Sequence, residues 1–383
     1  MTRNLTPDQL VELLQTVFRP RDGERALTLL VDMPDEMLPD TPRWKDRRRF
    51  AAEWFTMLQG HAKKLPFTEI ICCAYPHVGT NNNDLPPALT IVDRSSRGAS
   101  SPGPTLLSDI LSGSSVVIAL TELSATAPLK LLAQEYGFRG ATMPGFSRTM
   151  LPALMLDYEK VHARVTIIKE RMDRAEGARL RLSDGSTEFD AFLDLRHRTG
   201  HASGGLMRQT GTVANLPSGE AYIVPYEGER EGDPSRTTGR LPVQFGGETV
   251  VFSLEGNRAV SVISSGRESS LQQSKLEAEG AYGNIAELGV GVLGEWGVNA
   301  VGSTLLDEKL GLHVAFGRSD HFGGVTGVGQ FSDPANVVHI DWVYVPSVQP
   351  AISVVDLVFE YPDGARETIM RNGTLALPAS PSA

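Results

Sequence analysis

Apolar positions follow two textures along this chain, and the change between them is the first thing the sequence shows. In the first 160 residues, helical spacing alternates with unbroken apolar runs. Leu10, Val11, Leu13, Leu14 and Val17 follow Thr6-Pro7-Asp8, which predicts a capped helix. Ala26 to Val31, Ile70 to Tyr75 and Val116 to Leu120 are apolar runs of strand length. Helices are predicted from Arg47 to Leu65 and from Pro128 to Tyr136. Continuous apolar strands alternating with helices predict a mostly parallel, doubly wound sheet.

Near Leu156 the texture changes. One more long helix is predicted from Tyr158 to about Glu176. Turn signals then multiply, as in Ser183-Asp184-Gly185-Ser186, Glu255-Gly256-Asn257 and Pro362-Asp363-Gly364. Short β-type runs such as Ala178 to Leu182 and Thr249 to Leu254 lie between them. The expected organisation is a Rossmann-like α/β domain over residues 1–160 and a strand-rich α+β domain over residues 161–383, with the crossing somewhere in 155–175. The tail Ala379-Ser380-Pro381-Ser382-Ala383 is expected to fray.

Composition narrows the class. With 46 acidic against 36 basic residues the net charge is -10, which argues against nucleic acid as a partner. The basic run Lys45-Asp46-Arg47-Arg48-Arg49 falls on a predicted helix and reads as a solvated face. The two cysteines, Cys72 and Cys73, are adjacent on a predicted strand, so they point to opposite faces and read as separate core thiols. That suits a reducing compartment. The N-terminus is polar where a signal peptide would be apolar, and no run approaches a membrane span. The expectation is a cytoplasmic enzyme with no membrane partner.

The candidate chemistry lies in the second half. His339-Ile340-Asp341 places two side chains on one face of a strand, where both can reach one metal. A hydrogen-bonded core pair is the plainer reading of that motif alone. His313 stands in the apolar run Leu312 to Gly317, and His321 in the polar loop Asp320 to Gly324. Glu220 and Glu287 each sit among apolar or small residues, where a carboxylate is costly unless paired or bound to a cation. Together these carboxylates and imidazoles suit zinc, manganese, cobalt or iron, one ion or two. In the first half, the loop Gly79 to Pro86 follows a predicted strand, where doubly wound folds bind ligands. Asn82 and Asp84 of that loop, with Tyr226, are read as substrate contacts. No G-x-G-x-x-G follows a strand of the doubly wound half, so that half gives no dinucleotide signal, and the chain lacks a P-loop, H-E-x-x-H and G-x-S-x-G.

Several segments together resemble the aminopeptidase T family of metallopeptidases. They are Val116 to Ser124, Gly137 to Gly145, Asn215-Leu216-Pro217-Ser218-Gly219-Glu220, Asn284 to Gly289, Asp307-Glu308-Lys309, His313 to Gly317, Phe322-Gly323-Gly324 and His339-Ile340-Asp341. The resemblance implies a homodimer with an α/β domain and a metal-bearing domain. It implies Glu220, Glu287, His313, His339 and Asp341 as ligands to two metals, with Glu220 and Glu287 serving catalysis. Where that family has a further tyrosine ligand, this sequence reads Ser319-Asp320-His321, so Asp320 or His321 stands in its place. The charged loop Glu227 to Asp233 is expected to reshape the substrate pocket.

Ring-cleaving 2,5-dihydroxypyridine dioxygenases resemble the chain as well. They imply one iron(II) held by two histidines and a carboxylate, here His313, His339 and Asp341. Glu287 stands where they have a histidine, which favours the hydrolytic branch. Three readings follow: a metal-dependent hydrolase of an amide or peptide bond in a small substrate, a mononuclear iron(II) dioxygenase, or a scaffold that has lost its metal and only binds.

Overall fold

A computed structural model describes residues 4–95 and 103–378, so the expectation for the tail at 379–383 lies outside the described residues. The chain divides into two compact units, residues 1–159 with 205–218 and residues 160–204 with 219–383. The first crossing falls where the texture changes. The excursion of residues 205–218 is not visible in the pattern: Val213–Asn215 lies within the expected second domain, yet it pairs in parallel with Arg139–Thr142 in the first unit's sheet. A three-residue strand makes no periodic signal, and its place is set by its partner's backbone.

The first unit is built on a seven-stranded sheet. Its order is Val213–Asn215, Arg139–Thr142, Ser114–Ala119, Ala26–Met33, Ile70–Pro76, Ala88–Arg94, Pro104–Leu106. The first five run parallel, Ala88–Arg94 runs antiparallel to Ile70–Pro76, and Pro104–Leu106 runs antiparallel to Ala88–Arg94. Leu30, Cys73, Val117 and Ala119 pack against Ile110, Leu111, Leu129 and Ala133 of the helices Leu107–Ser112 and Thr126–Tyr136. Cys72 is buried too but lies outside that cluster, as alternation along a strand requires.

Two local expectations are corrected. The helix expected from Arg47 to Leu65 is Pro42–Gly60. Thr41 caps it, accepting from the Trp44 amide, and Pro42 occupies its first turn, where a missing N–H costs nothing. The basic run on this helix is solvated only at Lys45 and Arg49. Arg47 is 3% exposed, donates to the Phe146 carbonyl and pairs with Glu122. The helical stripe that buries Trp44, Phe50, Ala51 and Trp54 also carries residue 47 inward.

The helix Tyr158–Met172, shorter than the expected span, enters the second unit at Lys160, and that unit holds two antiparallel sheets. The eight-stranded sheet runs Arg258–Val262, Glu248–Glu255, Thr238–Phe245, Glu188–Asp194, Gly177–Ser183, Ser353–Glu360, Arg366–Arg371, Thr374–Leu375. The five-stranded sheet runs His339–Val343, Leu312–Gly317, Ile285–Gly291, Glu220–Ile223, His201–Ser203. One face of the smaller sheet is apolar: Ala221, Ile223, Leu288, Val290, Leu312, Val314 and Phe316 are buried there. Phe316 meets Phe252 of the larger sheet with ring centroids 5.1 Å apart. Among the described residues, no helix is long and apolar enough to cross a membrane.

Burial pushes both cysteine thiols up to about 12 from an ordinary value of 9. The native protein is therefore expected to leave Ellman's reagent unreacted at pH 8, and both thiols to react once urea unfolds it. A raised folded value stabilises fully below about 9, and that contribution disappears as pH climbs from there towards about 12. Urea midpoints measured across pH 8 to 10.5 should decline above pH 9.

Candidate metal centre

The other face of the five-stranded sheet carries the chemistry, and strand register explains why. Glu287 lies opposite Ala315, which lies opposite Asp341. Gly289 lies opposite His313, and Gly317 opposite His339. Glu220 and Tyr222 face Gly291 and Gly289. Paired residues share a face, and so do residues two apart on one strand. Glu220, Tyr222, Glu287, His313, His339 and Asp341 therefore project from one side of the sheet. Small residues between them leave room. A Cβ added to Gly289 would fall inside the His313 ring.

Glu287 stands at the middle and offers one oxygen to each side. Its Oε1 is 3.1 Å from His313 Nε2, and its Oε2 is 3.5 Å from His339 Nε2. His313 Nε2 is also 3.6 Å from Glu220 Oε2, and His339 Nε2 is 3.6 Å from Asp341 Oδ1. Two groups with metal-ligand spacing result: Glu220, Glu287 and His313, and Glu287, His339 and Asp341. His339 Nδ1 donates to the Arg318 carbonyl at 2.8 Å, which leaves Nε2 as the nitrogen facing the carboxylates. The pair of histidines with one carboxylate expected for an iron site is not gathered in this arrangement. His313 and His339 fall in different groups, joined by Glu287.

The cluster draws positive charge. Burial alone would strip the proton from His313, but the hydrogen bond and charge of Glu287, with Glu220 and Asp341, outweigh it and push the imidazole up to about 9. His339 is raised for the same reasons. Burial would raise Glu287, yet the two imidazoles hold it well below the usual carboxylate range. Lys309 is fully buried, with Nζ 2.6 Å from Glu220 Oε1 and a second ion pair to Glu308. Burial raises Glu308 to about 8. Glu220 Oε2 is buried and has no hydrogen-bond partner. An orphaned carboxylate oxygen beside an imidazole, with a second carboxylate in reach, fits a divalent cation.

The remaining candidates lie elsewhere. His321 stands beside the site but in neither ligand group: its ring packs on Phe322 at 3.9 Å and lies 5.5 Å from His339. Burial and the His339 charge push it down to about 4. Asp320 Oδ1 takes Arg318 Nε at 2.6 Å, so neither residue occupies a ligand place. Tyr226, expected to touch substrate, is fully buried, with its hydroxyl donating to the Asp233 carbonyl and accepting from the Arg230 amide. Asn82 belongs to the first unit, where its side-chain oxygen accepts from Ser124 Oγ and the Ala127 amide at the start of a helix. Asp84 is exposed in the same loop.

Sequence reasoning missed three residues here. Tyr222 is two positions from Glu220 on a strand, so alternation alone could have found it. Lys309 lies in a short turn, and nothing local predicts that it reaches back 89 positions to Glu220. The Glu227 side chain is nearly enclosed and accepts from Asn284 Nδ2 and Ser319 Oγ at 2.8 Å, tying the turn after the His313 strand to the start of the Glu287 strand.

The sequence matches no protein-family model and no curated protein. Solved structures with a similar fold include 2,5-dihydroxypyridine dioxygenase from Pseudomonas putida KT2440, at TM-score 0.63 and 14% identity over 98% of this chain and 99% of that one. They also include wild-type AmpT from Thermus thermophilus, at TM-score 0.54 and 14% identity over 97% and 99%.

Gly289→Ala is expected to displace the His313 imidazole and to lower zinc content per chain at least about tenfold by elemental analysis. Gly247→Ala, at a turn glycine with open space around its Cβ direction and no left-handed φ, serves as the control and should retain metal. The mixed α/β fold of this chain is similar to that of both solved structures.

Proposed function

We propose that this chain is a metal-dependent hydrolase of the aminopeptidase T type, cleaving an amide or peptide bond in a small substrate. The observation that carries the reading is Glu287, whose two oxygens face two adjoining ligand groups. A carboxylate so placed suits a bridging ligand between two divalent ions. Glu287, His339 and Asp341 would hold one ion, and Glu220, Glu287 and His313 the other. When bound, such ions lower the pKa of a coordinated water and polarise the amide carbonyl.

The chain's own residues do the rest. Glu220 Oε2 has no hydrogen-bond partner and would serve either as a ligand to the second ion or as the base that takes the water's proton. Lys309 holds the other Glu220 oxygen and so fixes the direction of Oε2. The Arg318 carbonyl and the Glu287 carboxylate set the ring plane of His339. The likeness to AmpT supports a hydrolase, and the likeness to the dioxygenase supports the second reading below.

One feature favours that second reading, a mononuclear iron(II) ring-cleaving dioxygenase. The Lys309 ammonium already lies on Glu220, so Glu287, His339 and Asp341 are the set without a resident cation. Metal number separates the two. Elemental analysis of purified protein should find two zinc or manganese ions per chain for the hydrolase, against one iron and substrate-dependent oxygen uptake for the dioxygenase. Glu287→Gln should lower metal content more than about tenfold and abolish turnover while the circular dichroism spectrum is kept. Retention of metal and wild-type turnover in that variant would remove Glu287 from the centre and the hydrolytic reading with it.

A further inference from the structure

Tyr222 shares the chemical face of the sheet with Glu220 and Glu287 but has no part in either ligand group. Its ring is held from two sides. It stacks on His201 at 5.0 Å and 20°, and meets the edge of Phe322 at 5.0 Å and 66°. Phe322 in turn lies 5.4 Å from His339, so the wall that carries Tyr222 continues to the ligands. Such contacts orient a ring as well as bury it. The phenol is thus placed with few rotamers open to it.

The hydroxyl is uncommitted. It makes no hydrogen bond to any described residue, and it is not sealed from solvent, since Tyr222 is only half-buried. A buried tyrosine hydroxyl ordinarily finds a partner. The other donors on this face are occupied: Lys309 on Glu220 and Glu308, His339 Nδ1 on the Arg318 carbonyl, and His201 Nε2 on the Phe322 carbonyl. A phenol is a protonated donor at neutral pH. The same face is crowded with carboxylate oxygens that would repel an incoming oxyanion or carbonyl dipole. A neutral O–H is the group able to receive it.

We propose that Tyr222 is a catalytic residue whose hydroxyl donates a hydrogen bond to the substrate oxygen that reacts at this face, a carbonyl oxygen in the hydrolytic reading. The assignment rests on the metal-centre reading and adds to it the residue that orients the substrate and receives negative charge as it develops on that oxygen.

Tyr222→Phe keeps the ring with its stacking and removes the hydroxyl alone. The test uses zinc-loaded full-length protein and acetohydroxamate, a small chelator with a carbonyl-derived oxygen, followed by isothermal titration. The expected result is binding to the wild type and about tenfold weaker binding to Tyr222→Phe, with zinc content and thermal midpoint unchanged. A merely structural tyrosine would move the thermal midpoint and leave hydroxamate affinity alone, and that result would overturn the assignment. So would a wild type that holds zinc but takes no hydroxamate. A wild type that holds no zinc before any hydroxamate is added would overturn the metal reading itself, so the two failures are told apart.

Discussion

Buried negative charge is the constraint around which the second unit is organised. Glu220, Glu287 and Asp341 project from one face of a sheet whose other face is core, and isolated carboxylates there would be expensive. The protein meets that demand with Lys309, fully enclosed, and with two imidazoles turned by backbone carbonyls so that Nε2 faces Glu287. Without cations the imidazoles hold their protons well above the ordinary range. The same field that retains those protons would retain a divalent ion.

Antiparallel pairing is what makes the cluster geometrically definite. Strands up to about 70 positions apart, as with Glu220 opposite Gly291, are brought side by side, and each cross-strand pair assigns two residues to the same face. A slip of one residue in any strand would exchange the ligands with Ile340, Val314 or Leu288, which belong to the apolar face. Register is therefore enforced by the core as much as by the site. Gly289 adds a second restraint, because only a residue without a Cβ leaves space for the His313 ring. Glu227 adds a third, by anchoring the turn that carries Phe322 and His321.

The likeness to a dioxygenase and to AmpT is a likeness of fold, and the chemistry must be argued from the residues. Here the middle position is a carboxylate, with Lys309 on one flank and an aromatic wall of Tyr222, His201 and Phe322 on the other. Tyr222, two residues beyond Glu220, presents its phenol on the same face. That arrangement is a property of this chain's own side chains.

Much was legible in the residues alone. The apolar runs from Ala26, Ile70 and Val116 could only be buried strands, because nothing else of that length and composition hides so many branched side chains. His339 and Asp341 shared a face as soon as their segment was a strand, since alternation is a local rule. Glu220, Glu287 and His313 stood out because a polar group in an apolar run needs a partner. Everything that depended on which strand lies beside which came from the tertiary structure. That includes the placing of Glu287 between two imidazoles, the separation of His313 from the His339 and Asp341 pair, the buried reach of Lys309, the diversion of residues 205–218 into the first unit, and the burial of Tyr226. Side-chain chemistry and periodicity are written within a few residues, whereas sheet order and register are settled by non-local backbone pairing and by the packing of the opposite face.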